Sequence, residues 1–263
     1  TDHPNMPAFD RLLLLPLLAA LLAFFLLPMA RLAVVGASGP EGLAEYAAIL
    51  TNGRYLRVLL ATLALSLGVT IATLAVATVA GLFLVRHRFA GRDLLIAALT
   101  FPLAFPGVVV GFMIIILAGR QGLIGQVTTA LGGGKLVFAY SMAGLFAGYL
   151  YFSLPRVLLT VMAAVETLDP ERQEAARSLG ANRWQVLRDV TLPALRPAFL
   201  ASGAVAFATA MGAFGTAFTL ATDIDVLPML IYTEFTLMAN FATAAALSIG
   251  LGLITWAALA LAR

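Results

Sequence analysis

Few side chains in this sequence are of types that do covalent or hydrolytic chemistry, and their spacing argues against each reaction in turn. The run Gly132-Gly133-Gly134-Lys135 is the nearest thing to a phosphate-cradling loop. Thr129 stands where its first glycine is needed, and Leu136 where a Ser or Thr would hold magnesium. The two histidines, His3 and His87, are not in an HExxH arrangement, and no GxSxG nucleophile turn is present. With no cysteine there is neither thiolate chemistry nor a disulfide. Three late acids, Asp223, Asp225 and Glu234, are of a kind to favour a cation at an outer mouth, or simply to hydrate a loop at the bilayer edge. The chain is therefore expected to be no enzyme, with no metal or cofactor of its own.

The remaining concentration of polar residues runs from Glu166 to Pro193, and its spacing predicts two short helices joined at one glycine. Asp169 caps the first, with Pro170 at the first helical position and Glu171 facing the positive end of the dipole. Gly180 follows Leu179 where a left-handed residue closes a helix at no steric cost. Asn182 and Gln185 form a capping box for the second helix, and Pro193 ends it. Ala175 and Ala176 give the first helix low relief, while Trp184, Leu187 and Val190 make an apolar stripe on the second. Such a stripe suits a partner protein. On physics alone it suits equally a solvated helix pair packed under its own bundle.

The elements around this segment are apolar to a degree that soluble domains are not. Of 263 residues, 62% are hydrophobic and 11% charged, with a mean hydropathy of +0.99. A membrane-crossing helix needs about 20 apolar residues. Six such spans are expected, near 12–35, 58–85, 94–118, 136–164, 198–221 and 238–261, which makes an all-α membrane protein of one transmembrane domain over 1–263. The stretch 36–57 reads as a surface helix, with Leu43, Ala47 and Leu50 at helical spacing, and 119–135 as a glycine-rich connection.

A net charge of +3 and a pI near 9.6 do not point to nucleic acid, because the basic residues lie between apolar segments. Arg86, Arg88 and Arg92 crowd one short loop, and Arg172, Arg177, Arg183, Arg188 and Arg196 lie two spans later. Both groups are thus expected on the cytoplasmic side, with both termini there as well. Gly107/Gly111 and Gly144/Gly148 have the spacing that lets membrane helices approach closely, and Pro102 and Pro106 interrupt the third span.

Glu174-Ala175-Ala176, then Gly180, then Val190-x-Leu192-Pro193 resembles the EAA motif of ATP-binding-cassette importer permeases, the type I or MetI-like group, with Val190 where Ile is commoner. The motif falls between the fourth and fifth of six spans, as in that family, and the wider resemblance runs from Tyr55 through the sixth span. It implies that Glu174, Ala175, Ala176 and Gly180, with Trp184, Leu187, Val190, Leu192 and Pro193, dock into a groove on a cytoplasmic ATPase dimer. That partner would bind ATP and magnesium. The resemblance further implies a second permease copy, identical or related, an extracytoplasmic solute-binding protein, and residence in the bacterial inner membrane.

A channel or secondary carrier is the rival class, and it would place ionisable residues inside the spans. Tyr149, Met211, Phe214 and Phe218, bulky groups in small-residue spans, are expected on or near the pathway. The segment 101–122 resembles permeases for polyamines, iron(III), thiamine, phosphonates, sulfate or molybdate, and the three late acids tilt the expectation toward a polyamine-type solute.

Overall fold

The computed structural model describes residues 8–220 and 224–261, and among them every regular element is a helix. His3 and Asp223 lie outside the described residues. The first span is continuous through α1 (Ala8–Leu21), a π turn over Leu22–Leu26 and α2 (Leu27–Gly36). The wide turn sits just ahead of Pro28, which lacks an N–H and crowds the carbonyl four residues back.

A 3-10 turn and α3 (Glu45–Thr51) follow. Here the amphipathic reading needs inverting. Leu43, Ala47 and Leu50 are exposed, and it is Glu45 and Ile49 that are buried. Next come α4 (Gly53–Arg86), α5 (Arg92–Thr100), α6 (Gly107–Ala118), α7 (Leu123–Ala130) and α8 (Met142–Glu166).

Five helical stretches among the described residues are long and apolar enough to cross a membrane: Leu14–Gly36, Gly53–Arg86, Gly107–Ala130, Met142–Glu166 and Phe241–Leu261. A sixth arises if the pair Arg183–Ala194 and Arg196–Met211, bent by 64°, is taken as one.

Several expected boundaries move, the second span starting at Gly53 rather than 58 and the fourth at Met142 rather than 136. The third span is not 94–118, because Pro102 and Pro106 break it into α5, a 3-10 turn over Phe101–Ala104 and α6. The supposed connection 119–135 is partly helical, and the third apolar stretch reaches Ala130 through α7. The fifth span is also two helices, α12 (Arg196–Met211) and α13 (Phe214–Leu220), parted at Gly212. An additional helix, α14 (Leu227–Thr236), precedes α15 (Phe241–Leu261).

The chain forms two compact units, residues 1–55 with 231–250 and residues 56–230 with 251–263. In the smaller unit two carboxylates are buried. Glu45 accepts a hydrogen bond from Thr243 Oγ1 at 2.9 Å, and Glu234, 5% exposed, accepts one from the Tyr55 hydroxyl at 3.0 Å. Glu234 is thus not part of a solvated loop.

The larger unit holds two apolar clusters. One gathers Val69, Ile114, Leu145, Tyr149, Ala217 and Leu220, the other Leu84, Val157, Leu158, Val161 and Leu195. Between α6 and α13 the backbones nearly touch: a Cβ on Gly111 would lie 2.6 Å from Thr219 Cβ, and one on Gly107 3.0 Å from Thr216 Oγ1. Thr216 Oγ1 donates to the Gly107 carbonyl at 2.9 Å, so the small residues make room for a bond between helices. On α8, a Cβ on Gly148 would meet Thr216 Cγ2 at 2.8 Å, which draws a third helix into the same seam.

Candidate functional site: the exposed helix pair

The polar segment folds as its caps dictate. Asp169 Oδ1 accepts from the Glu171 N–H at 2.9 Å, and α9 (Pro170–Ser178) begins on Pro170. The helix closes in a Schellman motif: the Gly180 N–H donates to the Arg177 carbonyl at 2.9 Å and the Ala181 N–H to the Ala176 carbonyl at 3.0 Å. Gly180 has φ +88°, and a Cβ there would meet nothing within 4 Å. Its requirement is therefore the left-handed backbone rather than space.

Asn182 and Gln185 exchange hydrogen bonds of 2.9 and 2.8 Å, which completes the capping box that opens α10 (Arg183–Gln185). The helix continues through a π turn, Val186–Thr191, into α11 (Leu192–Ala194).

Exposure sorts the residues the sequence singled out. Glu174, Ala175, Gly180, Trp184 and Pro193 are exposed; Ala176, Leu187, Val190 and Leu192 are half-buried. The apolar stripe is therefore split. The π turn rotates Val186 into the bundle, at 3% exposure, and leaves Trp184 out at 65%. Leu179, which the sequence reading did not single out, is 90% exposed beside Gly180. Its signal was an apolar residue at the C-cap of an otherwise polar helix.

The pair sits against the end of α4: Arg86 Nη2 donates to Gln173 Oε1 at 3.3 Å, and Val85 and Arg86 share a small cavity with Pro170, Glu174 and Arg177. The arginine loop and the polar segment thus occupy the same end of the larger unit. A groove of about 900 Å³ runs along the other flank, lined among others by Thr167, Asp169, Arg172, Asp189 and Thr191. Among the described residues no cluster of His, Asp and Glu is arranged to hold a metal.

The four residues expected near the pathway do not form one surface. Tyr149 and Met211 are buried within the bundle, and the Tyr149 hydroxyl donates to the Ala213 carbonyl. Phe214 and Phe218 pair on α13 with ring centroids 5.3 Å apart, Phe218 being exposed.

Five or six helices of membrane-crossing length among the described residues, with one polar, double-capped helix pair between them in sequence, define a multi-pass membrane-type chain. The chain belongs to the family described as binding-protein-dependent transport system inner membrane component, whose model matches residues 74–263. It is 35% identical over 154 residues to the molybdenum transport system permease protein ModB of Escherichia coli, covering 57% of this chain and 66% of that one. It is 37% identical over 141 residues to the sulfate transport system permease protein CysT of Salmonella typhimurium, covering 54% and 50%. To the putative 2-aminoethylphosphonate transport system permease protein PhnU of Salmonella typhi it is 31% identical over 238 residues, 88% of this chain and 82% of that one.

The chain thus spans half to about two-thirds of the length of the molybdenum and sulfate relatives. Its fold matches a chain in the crystal structure of a bacterial alginate ABC transporter in complex with an alginate pentasaccharide-bound periplasmic protein. There the TM-score is 0.79 and the identity 18%, over 97% of this chain and 92% of that one.

Proposed function

We propose that this chain is the permease subunit of an ATP-driven, binding-protein-dependent importer, and that residues 169–193 couple it to a separate cytoplasmic ATPase dimer. In this reading 1–263 acts as one transmembrane permease domain, both termini face the cytoplasm, and ATP and magnesium bind to the partner. A second permease copy, identical or related, completes the pathway, and an extracytoplasmic binding protein delivers a small polar solute. In the same reading Tyr149, Met211, Phe214 and Phe218 lie on or near the pathway.

One observation carries the reading: Leu179 and Trp184 stand out at 90% and 65% exposure from a helix pair capped at both ends of α9 and at the start of α10. A helix pair ordered by its own caps and presenting bare apolar side chains is built to be covered. The membrane does not supply the cover, because charged residues surround both side chains.

On substrate, the polyamine preference draws on three acids. Of the two that are described, Glu234 is buried on Tyr55 and only Asp225 is exposed. The relatives' names, for molybdenum, sulfate and 2-aminoethylphosphonate, favour an oxyanion.

The test is uptake by vesicles holding the assembled complex, together with site-directed crosslinking. Uptake is expected to require ATP and to stop with vanadate. A cysteine at Leu179 or Trp184 should crosslink to the ATPase. A cysteine at either position that is labelled only from the extracytoplasmic face overturns the proposal.

A further inference from the structure

Arg156 lies within α8, a stretch long and apolar enough to cross a membrane, ten residues before its end at Glu166. At 1.5 Å per residue that is about 15 Å from the helix end. The guanidinium stacks over the Phe152 ring, 4.6 Å from its centroid, one turn away from that nearer end. It is not reaching back toward the water at Glu166, as a snorkelling arginine would. No ion pair joins it among the described residues. An unpaired cation on an apolar helix has two sustainable surroundings, a protein interior that neutralises it or a water-filled route.

Arg156 is exposed on this chain and lines an open groove, with Val157, Ala201, Val205 and Ala206 as its apolar walls, rather than a neutralising interior. Between α8 and α12 lies a cavity of about 180 Å³, whose lining includes Arg156, Ser153, Thr160, Ser202 and Thr209. No carboxylate lines it. Thr160, Ser202 and Thr209 donate to carbonyls four residues back, but Ser153 Oγ, on a side chain 2% exposed, makes no hydrogen bond among the described residues. Ser153 Oγ is shielded in this arrangement, so it can serve as a donor to a solute only when α8 and α12 part slightly at the cavity. The next pocket along α12 shares Ala201 and Val205 with this cavity and is lined by Arg196, again with no acid. Two arginines thus flank one wall, and a cationic solute would be repelled along it. The planar fork of a guanidinium matches the paired oxygens of an oxyanion.

Building on the importer reading, we infer that the α8/α12 cavity is a pathway subsite for a small oxyanion of the sulfate, molybdate or phosphonate type. Arg156 supplies the charge there and Ser153 a hydrogen bond. Arg156 is a specificity-determining residue, and the passage it guards lies in the half of α8 nearer the exposed helix pair.

The experiment uses the complete complex of permease, ATPase and binding protein in proteoliposomes, with sulfate, molybdate, methylphosphonate and putrescine as probes. Wild type is expected to import at least one of the three oxyanions. Loss of a charge-assisted hydrogen bond in Arg156→Gln should slow that uptake roughly tenfold or more, while Arg156→Lys, which keeps the charge, retains more of it. Half-saturation, set by the binding protein, should stay where it was. Ser153→Ala, which removes little volume, should slow uptake by a smaller factor and carries the test if Arg156→Gln does not assemble. Undiminished oxyanion uptake in Arg156→Gln, or in Ser153→Ala where that variant carries the test, would overturn the inference and leave the importer reading intact. So would ATP-driven import of putrescine alone. A wild-type complex that imports none of the probes in response to ATP overturns the inference, and one in which, besides, the ATPase neither binds the permease nor answers to the loaded binding protein undoes the importer reading too.

Discussion

The helix pair over 169–194 and the seam between α6 and α13 are both made possible by glycine, for opposite reasons. Gly180 is needed for a backbone angle, φ +88°, in open space. Gly111 has an ordinary helical backbone and is needed for space, with Thr219 Cβ 2.6 Å from where its own Cβ would be. The first glycine sets the path of one chain segment and leaves apolar side chains uncovered. The second lets two segments more than a hundred residues apart close on each other. A membrane bundle gains nothing from expelling water between helices, so contact of this closeness is what holds α6 to α13. In the helix pair, packing is slight and the caps hold the shape.

That contrast predicts the largest effect at the seam. Gly111→Leu would force its side chain into that of Thr219 on α13. Overpacking of this kind costs about 1–3 kcal/mol. Thermal unfolding of the purified permease in detergent should show a clear fall in midpoint, and Gly111→Ala a smaller one. An unchanged midpoint in Gly111→Leu would mean that α6 and α13 part easily and that the seam is not a structural joint.

The same contrast explains what the sequence made legible. Asp169-Pro170, Asn182 with Gln185, and Gly180 act on neighbours within a few positions, so spacing alone predicted their hydrogen bonds. Pro193, expected to end the second helix, instead lies inside α11, where the first turn of a helix has no use for its missing N–H. Six apolar stretches were visible because lipid demands them. The breaks at Phe105-Pro106 and at Gly212 were blurred, because hydropathy stays high through them while the helix stops. Pro102 and Pro106 gave warning of the first. Glu234 was read as a solvated acid because its partner, the Tyr55 hydroxyl, is 179 positions away. Arg156 was overlooked for a related reason: one charge hardly lowers the average of a long apolar window, and only the packed structure shows it unpaired beside Ser153.

A middling effect is expected at Gly180. A left-handed backbone costs an ordinary residue about 1–2 kcal/mol, whatever its side chain. Gly180→Ala and Gly180→Trp should therefore loosen the helix junction to a similar extent in the isolated permease, because no neighbouring atom distinguishes them. In the assembled complex they should diverge. Both should insert into the membrane, and Gly180→Trp should separate ATP hydrolysis from uptake more severely, since its bulk would occupy the surface offered to the ATPase. Equal uptake in both variants and wild type would show that the junction does not transmit motion.

The smallest effect on the free chain, and the most informative one, belongs to Leu179 and Trp184. Both side chains already meet solvent, so Leu179→Ser or Trp184→Ser removes almost no internal packing. Surface changes of this sort usually stay within about 0.5 kcal/mol of stability. If the ATPase covers them, the same changes should weaken association by about 1–2 kcal/mol or more, the range of interface anchors. Co-purification yield and titration of ATPase onto permease in nanodiscs read this directly, with unfolding midpoint as the control. A fall in association at constant midpoint separates a docking surface from a solvated helix pair that the bundle keeps for itself. A fall in midpoint at constant association would assign Leu179 and Trp184 to the permease's own packing, and the comparison between the two glycines would then lose its functional half.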